Sequence, residues 1–220
     1  MGMEKFLTVT VVDDDAEARQ SYKAFLAGRR EFRFVGEAVD GRAGVALYLD
    51  KRPDVMLMDL HMPVMSGPDA IKAICAHDHD ARVIALTTFS GYTDVAEALR
   101  AGAVGYVTKD ARAEELIEAI HQAVAGEMPL STEVRQALAQ ALRADGGAAA
   151  KPLSKPLTPR ETELLRHLAQ GMSNKEIGAV MWLTEASVKQ YIQRISEKLD
   201  VRSRIRIFIR ALQLRIVSVD

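Results

Sequence analysis

Pro53-Asp54-Val55-Met56-Leu57-Met58-Asp59, followed at once by Leu60-His61-Met62-Pro63, decides how this chain folds. Four apolar residues running into a carboxylate predict a strand buried on both faces, with Asp59 at its carboxyl end. That is the edge at which open parallel sheets hold their chemistry. Leu7 to Val12 is a second such run and ends in Asp13-Asp14-Asp15. Carboxylates delivered to one edge by two buried strands repel one another unless a cation lies between them. An all-oxygen cluster suits a hard divalent ion, Mg2+ above all.

Outward from these strands the same alternation repeats. Helical spacing over Ala16 to Ala27 stops at Gly28, and strand-like Phe32 to Val39 leads to a helical stretch from Gly41 to Leu49. Beyond Asp59 come a helix from Asp69 to Ala76, a strand from Val83 to Leu86 and a helix from Thr93 to Leu99. A strand from Gly105 to Val107 and a helix from Glu114 to Val124 complete the series. Five short apolar strands alternating with five helices predict a doubly wound α/β domain around a five-stranded parallel sheet.

The chain has 220 residues, 48% hydrophobic and 27% charged, enough for two ordinary domains. Its one cysteine, Cys75, excludes an internal disulfide and a thiolate zinc site, and a reducing cytoplasm is the expected compartment. No apolar run approaches the roughly 18 residues of a membrane helix, and Phe6 stands where a myristoylation signal wants Ser or Thr. Neither spanning nor anchoring is therefore expected. Residues 151–220 carry 13 Lys and Arg against 7 Asp and Glu, net +6, which leaves residues 1–150 at −7 of the chain's −1. An acidic half and a basic tail predict two domains, the second facing a polyanion.

Between them, residues 131–143 form an amphipathic helix with Val134, Leu138 and Leu142 on one face, followed by a flexible Gly- and Ala-rich stretch. The predicted division is 1–128, a linker helix and flexible linker over 129–157, and 158–220. The tail is written in helix caps. Thr158-Pro159-Arg160-Glu161 and Ser173-Asn174-Lys175-Glu176 are capping boxes, Thr184 caps a third helix and Ser203 begins a fourth. Four short helices with a tight connection between the second and third predict a helix-turn-helix unit. Val188 reads as core, and Trp182, in the turn before the third helix, as a packing residue.

These motifs together resemble a two-component response regulator of the NarL/FixJ type, a flavodoxin-like receiver followed by a LuxR-type helix-turn-helix domain. Val11-Val12-Asp13-Asp14, Met58 to Pro63, Ser66-Gly67, Leu86-Thr87 and Gly105-Tyr106-Val107-Thr108-Lys109 carry the first half of the resemblance. Leu157 to Glu161, Gly171 to Ile177 and Ser187-Val188-Lys189 carry the second. The resemblance implies that Asp59 takes a phosphoryl group from a sensor histidine kinase, with Lys109 and Thr87 assisting and Tyr106 as the switch residue. It implies Mg2+ held by Asp13, Asp14, Asp59 and the backbone carbonyl of His61, while which of Asp13, Asp14 and Asp15 bind metal stays open. The expected catalysis is confined to the chain's own phosphorylation and dephosphorylation.

For the tail, the resemblance implies duplex DNA as partner and a homodimer on phosphorylation or on DNA. Base contacts would come from Ser187, Lys189, Gln190 and Gln193, a basic rim of Arg194, Lys198, Arg202, Arg204, Arg206 and Arg210 with Lys189 would meet phosphates, and Lys175 is a further DNA-binding residue. Two rival readings have their own marks. A phosphohydrolase of the haloacid dehalogenase type would want a second Asp two positions after Asp59, where this chain has His61. A receiver-like dimerisation module that is never phosphorylated would have lost an acid, Thr87 or Lys109.

Overall fold

The computed structural model describes residues 6–88, 92–130, 132–144, 153 and 155–219, and the chain divides into two units, Met1–Ala125 and Gly126–Asp220. The first unit alternates β1 (Leu7–Val12), α1 (Ala16–Ala27), β2 (Phe32–Ala38), α2 (Gly41–Lys51), β3 (Val55–Asp59), α3 (Gly67–His77), β4 (Val83–Thr87), α4 (Tyr92–Ala101), β5 (Gly105–Thr108) and α5 (Ala113–Val124). Every pairing is parallel and the strand order is β2-β1-β3-β4-β5. The winding therefore reverses between β1 and β3 and opens a crevice at their carboxyl ends.

Burial explains why these runs become strands. All five residues of β3 and of β4 are buried, which requires apolar side chains on both faces and helices on both sides of the sheet. On one side Val9, Val11, Leu57, Ile84 and Leu86 pack with Leu26, Leu116 and Ile120 from the helices. The start of β3 is tied to β1 by Asp54, whose Oδ2 accepts from Thr8 N at 2.8 Å and Thr8 Oγ1 at 2.7 Å.

Short polar residues set where the helices begin. Asp15 accepts from Glu17 N at 2.8 Å and Asp40 from Ala43 N at 2.8 Å, each satisfying an orphan donor of a first turn. Helix α3 starts at Gly67, two residues before the expected Asp69, because Ser66 Oγ caps Asp69 N. Gly67 is demanded by a close approach. Its N–H donates to Leu60 O at 3.0 Å, and a Cβ there would overlap the Asp59 carbonyl oxygen and lie 2.7 Å from Leu60 Cα. The N-terminus of α3 is thereby held against the end of β3.

The second unit contains α6 (Thr132–Ala144), α7 (Pro159–Ala169), α8 (Asn174–Met181), α9 (Glu185–Leu199) and α10 (Arg204–Gln213). Both capping boxes form, Thr158 with Glu161 and Ser173 with Glu176. Leu164, Leu168, Ile177, Val188, Ile195 and Phe208 are fully buried in this unit's core. Helix α6 falls in the stretch read as linker, yet it packs on α10 with Val134, Leu138 and Leu142 buried. Arg135 secures it, donating to Leu130 O at 2.6 Å and to Gln170 O, the C-cap of α7, at 3.1 Å. The flexible stretch predicted over 144–152 lies outside the described residues apart from Ala144, which ends α6.

Gly67→Ala is expected to lower the stability of the first unit by about 1 to 3 kcal/mol, the usual cost of forcing an atom into occupied space. Urea unfolding followed by far-ultraviolet circular dichroism measures it.

Candidate functional site

The carboxyl ends of β1 and β3 place Asp13 and Asp59 side by side. Asp13 is fully buried and Asp59 is 3% exposed. Carboxylate oxygens of Asp13, Asp14 and Asp59 lie within 4.8 Å of one another, with Asp14 exposed to solvent. Lys109, which leaves β5 on the same edge, is anchored by its backbone N–H to Thr87 O at 2.8 Å. Its Nζ stands 2.7 Å from Asp13 Oδ2 and 3.1 Å from Asp59 Oδ2. The approach to Asp13 Oδ2 lies outside hydrogen-bond angles; at that distance the contact is an ion pair, and the oxygen keeps lone-pair capacity.

Burial raises the pKa of Asp59; Lys109 opposes the rise, Asp13 adds to it, and a backbone N–H from His61 lowers it. For Lys109 burial acts downward, but Asp13 and Asp59 outweigh it and hold the ammonium charge. One cation thus faces three carboxylates. Donors that are all oxygen, two of them desolvated, fit a hard divalent cation. Asp15 is absent from the cluster and spends its carboxylate on the cap of α1.

Around this core, Thr87 is 2% exposed and donates its hydroxyl to Thr88 O at 3.0 Å. Tyr106 is buried, and burial with Asp94 and Asp110 nearby pushes its hydroxyl pKa up. His61 is exposed, with Nε2 3.2 Å from Asp94 Oδ2 on α4. Two residues of α1 escaped the sequence reading. Arg19 donates to Asp13 O at 2.7 Å. Burial, Asp13 and Asp59 push the Tyr22 pKa up to about 12 against the lowering effect of Lys109. Their spacing of three on one helix face was the only signal available.

The second unit presents a different surface. Helix α8 ends in Trp182, and Thr184 caps α9. Val188, Ile195 and Leu199 turn inward, which leaves Lys189, Gln190, Gln193 and Arg194 exposed, with Lys175 exposed on α8. Ser187 is engaged in the cap, its hydroxyl 2.9 Å from Thr184 Oγ1 and its N–H donating to the same oxygen. Gln193 Nε2 donates to Glu197 at 3.4 Å, and Arg194 lies 5.7 Å above the Tyr191 ring. Arg202 is exposed.

Two expectations for this surface, for Arg204 and Trp182, are corrected, and Lys198 is placed with partners of its own. Arg204 is 7% exposed and donates to Asn174 Oδ1 at 2.6 Å and Met172 O at 2.5 Å, so it braces the fold and faces no phosphate. Burial lowers its pKa to about 10, with Glu127 opposing. Lys198 donates to Glu161 Oε2 at 2.7 Å and Pro156 O at 3.1 Å, and that carboxylate is nearly buried, so two of its three N–H groups are engaged within the unit. Trp182, read as packing, is 93% exposed.

Comparison with known proteins agrees with both halves. Residues 9–121 match the response regulator receiver domain, and residues 155–211 match the bacterial regulatory proteins of the luxR family. The chain belongs to the response regulators with a LuxR-type DNA-binding domain. It is 34% identical over 205 residues to the nitrate/nitrite response regulator protein NarL of Escherichia coli K12, covering 93% of this chain and 94% of that one. It is 39% identical over 198 residues to the transcriptional regulatory protein LiaR of Bacillus subtilis 168, covering 90% and 93%. The crystal structure of the response regulator ChrA of a heme-sensing two-component system superposes with a TM-score of 0.53 at 31% identity, over 97% of this chain and all of that one. Among the described residues of this response regulator, no helix is long and apolar enough to cross a membrane.

Two measurements check the electrostatics. A carboxylate whose folded pKa is raised above 3.8 costs stability once pH exceeds that folded value, and costs nothing below 3.8. Asp59→Asn is therefore expected to melt higher than the wild type at pH 7 in a chelator, with the advantage fading as pH falls through the folded pKa toward 3.8. In the second unit, Arg204→Ala should cost about 2 to 4 kcal/mol by stranding buried acceptors. Arg202→Ala should leave denaturant unfolding within about 0.5 kcal/mol.

Proposed function

We propose that Asp59 is the phosphoacceptor of a transcriptional regulator, that a sensor histidine kinase supplies the phosphoryl group, and that the transfer depends on Mg2+. The observation that carries this reading is the Lys109 ammonium set between Asp13 and Asp59, 2.7 and 3.1 Å from their oxygens. A buried carboxylate at the switch point of the sheet, beside one fixed cation, is suited to attack on phosphorus. Phosphoryl transfer needs placement and neutralised charge more than covalent help.

In the proposed step an Asp59 oxygen forms the new bond to phosphorus while the bond from phosphorus to the kinase's histidine nitrogen breaks and the imidazole departs. Lys109 stays charged throughout and offsets the negative charge brought in. The Thr87 hydroxyl exchanges the Thr88 carbonyl for a phosphoryl oxygen, and Tyr106 packs behind it. Asp13, Asp14, Asp59 and the His61 carbonyl would hold Mg2+, which when bound draws charge from the phosphoryl oxygens.

The second unit would read duplex DNA through α9, with Lys189, Gln190 and Gln193 at base edges, Ser187 setting the cap, and Lys175, Arg194 and Arg202 on phosphates. Phosphorylation would favour a homodimer on half-sites about one duplex turn apart. The compartment we assign is the cytoplasm, and the only catalysis is on the chain's own phosphoryl group.

The test is labelling with a small phosphodonor. Wild type is expected to take up one phosphoryl group with Mg2+ and none in excess chelator, and Asp59→Asn none in either. Equal labelling of that variant, read by intact mass, would remove Asp59 from its role.

A further inference from the structure

Trp182 occupies a position that neither folding nor packing explains. It ends α8 in the left-handed region, φ 57° and ψ 44°, where glycine or asparagine is the usual residue and a bulky side chain costs stability. The turn needs that conformation. The N–H of Trp182 and of Leu183 both return to Gly178 O, the latter at 2.8 Å, and a Cβ on Gly178 would lie 2.7 Å from Leu183 O. The indole gains nothing in exchange, being 93% exposed, and Val180, two residues earlier, is 50% exposed. Strain at a large aromatic that packs on nothing in the chain directs attention to a contact made outside it.

The location selects the partner. Trp182 lies two residues before Thr184, the N-cap of α9. In helix-turn-helix proteins the N-terminal end of the second helix enters the major groove, and its free N–H groups attract phosphate. An exposed side chain just ahead of that end, as Trp182 is, would stand at the wall of the groove. An indole offers an apolar face for deoxyribose and one N–H donor for a phosphate oxygen. We infer that Trp182 is a DNA-docking residue that packs on the sugar-phosphate backbone beside the entry of α9 and strengthens binding irrespective of sequence. The inference rests on α9 as the DNA-reading helix.

Trp182 is the chain's only tryptophan, so its emission reports this position alone. The full-length protein is titrated at low salt onto a short fluorescein-labelled duplex of random sequence, with label anisotropy reporting binding and acrylamide quenching reporting access to the indole. Quenching is expected to fall as anisotropy rises. Trp182→Gly should weaken binding about ten-fold, the loss of a modest apolar contact and one hydrogen bond. The same variant should melt no lower than wild type, because glycine relieves the turn, and Trp182→Phe should recover part of the affinity. An indole equally accessible on and off the bound duplex overturns the proposal and marks a protein-docking surface. So does an unchanged affinity in Trp182→Gly, or a weakened affinity matched by a lower melting temperature. A duplex that does not bind at all removes the DNA-reading assignment of α9 and this inference with it.

Discussion

Two carboxylates forced into one dry corner set the terms for the first unit. Asp13 and Asp59 end adjacent strands, and the register that pairs Val12 with Met58 leaves the two acids side by side. Neither can escape, because Asp13 follows the buried run Val9 to Val12 and Asp59 ends a strand buried along its whole length. Ionised together in low dielectric they repel strongly, and Lys109 is the counter-charge that lets both remain. Its position is fixed in turn by β5 pairing with β4 and by the bond from its backbone to Thr87 O. The sheet order, the loop after β5 and the protonation of the site thus form one constraint. Three carboxylates beside one ammonium leave the corner with oxygen donors suited to a further hard cation.

The second unit shows the same separation between charges that hold the fold and charges that meet a partner. Arg204 from α10 reaches Asn174 and Met172 O at the start of α8, and Glu127 accepts from Asn174 N at 3.1 Å. Lys198 joins α9 to the cap of α7 through Glu161. A buried cation such as Arg204 is costly to strip of its partners, so it is held in the fold whatever the net charge of the tail, while Lys198 divides its donors between the fold and the surface. The basic excess that meets DNA is smaller than composition implies and is carried by the exposed remainder.

What could be read in the sequence follows from the range of the physics involved. Buried parallel strands, helix caps and the acids at strand ends are local patterns, and they mark β1, β3, α7, α8 and the Asp59 corner without reference to the rest of the chain. Arg204 and Arg202 are two residues apart in the same basic stretch, and no local feature separates them; Asn174 and Met172, some thirty residues earlier, decide which is buried. Trp182 escaped for the opposite reason, since an aromatic residue near core positions reads as core, and only the left-handed turn shows that it points outward. Helix α6 carries a legible apolar face, but what that face covers depends on α10, whose apolar residues are buried nearly all round.

The cap of α9 has a consequence for specificity. On the proposed reading Ser187 is held by Thr184, which leaves Lys189, Gln190 and Gln193 to reach bases, the last already touching Glu197. A good base contact contributes about 1 to 3 kcal/mol of discrimination, whereas a regulator separates its site from bulk DNA by about 4 to 10 kcal/mol. Three such contacts on one copy total about 3 to 9 kcal/mol, which falls short of the need wherever the contacts are weak. Two copies on paired half-sites double the base contacts and join them at high effective concentration. With weak contacts the reading surface proposed for α9 would therefore gain from paired operation, and a signal that acts on pairing would then act on specificity and affinity together.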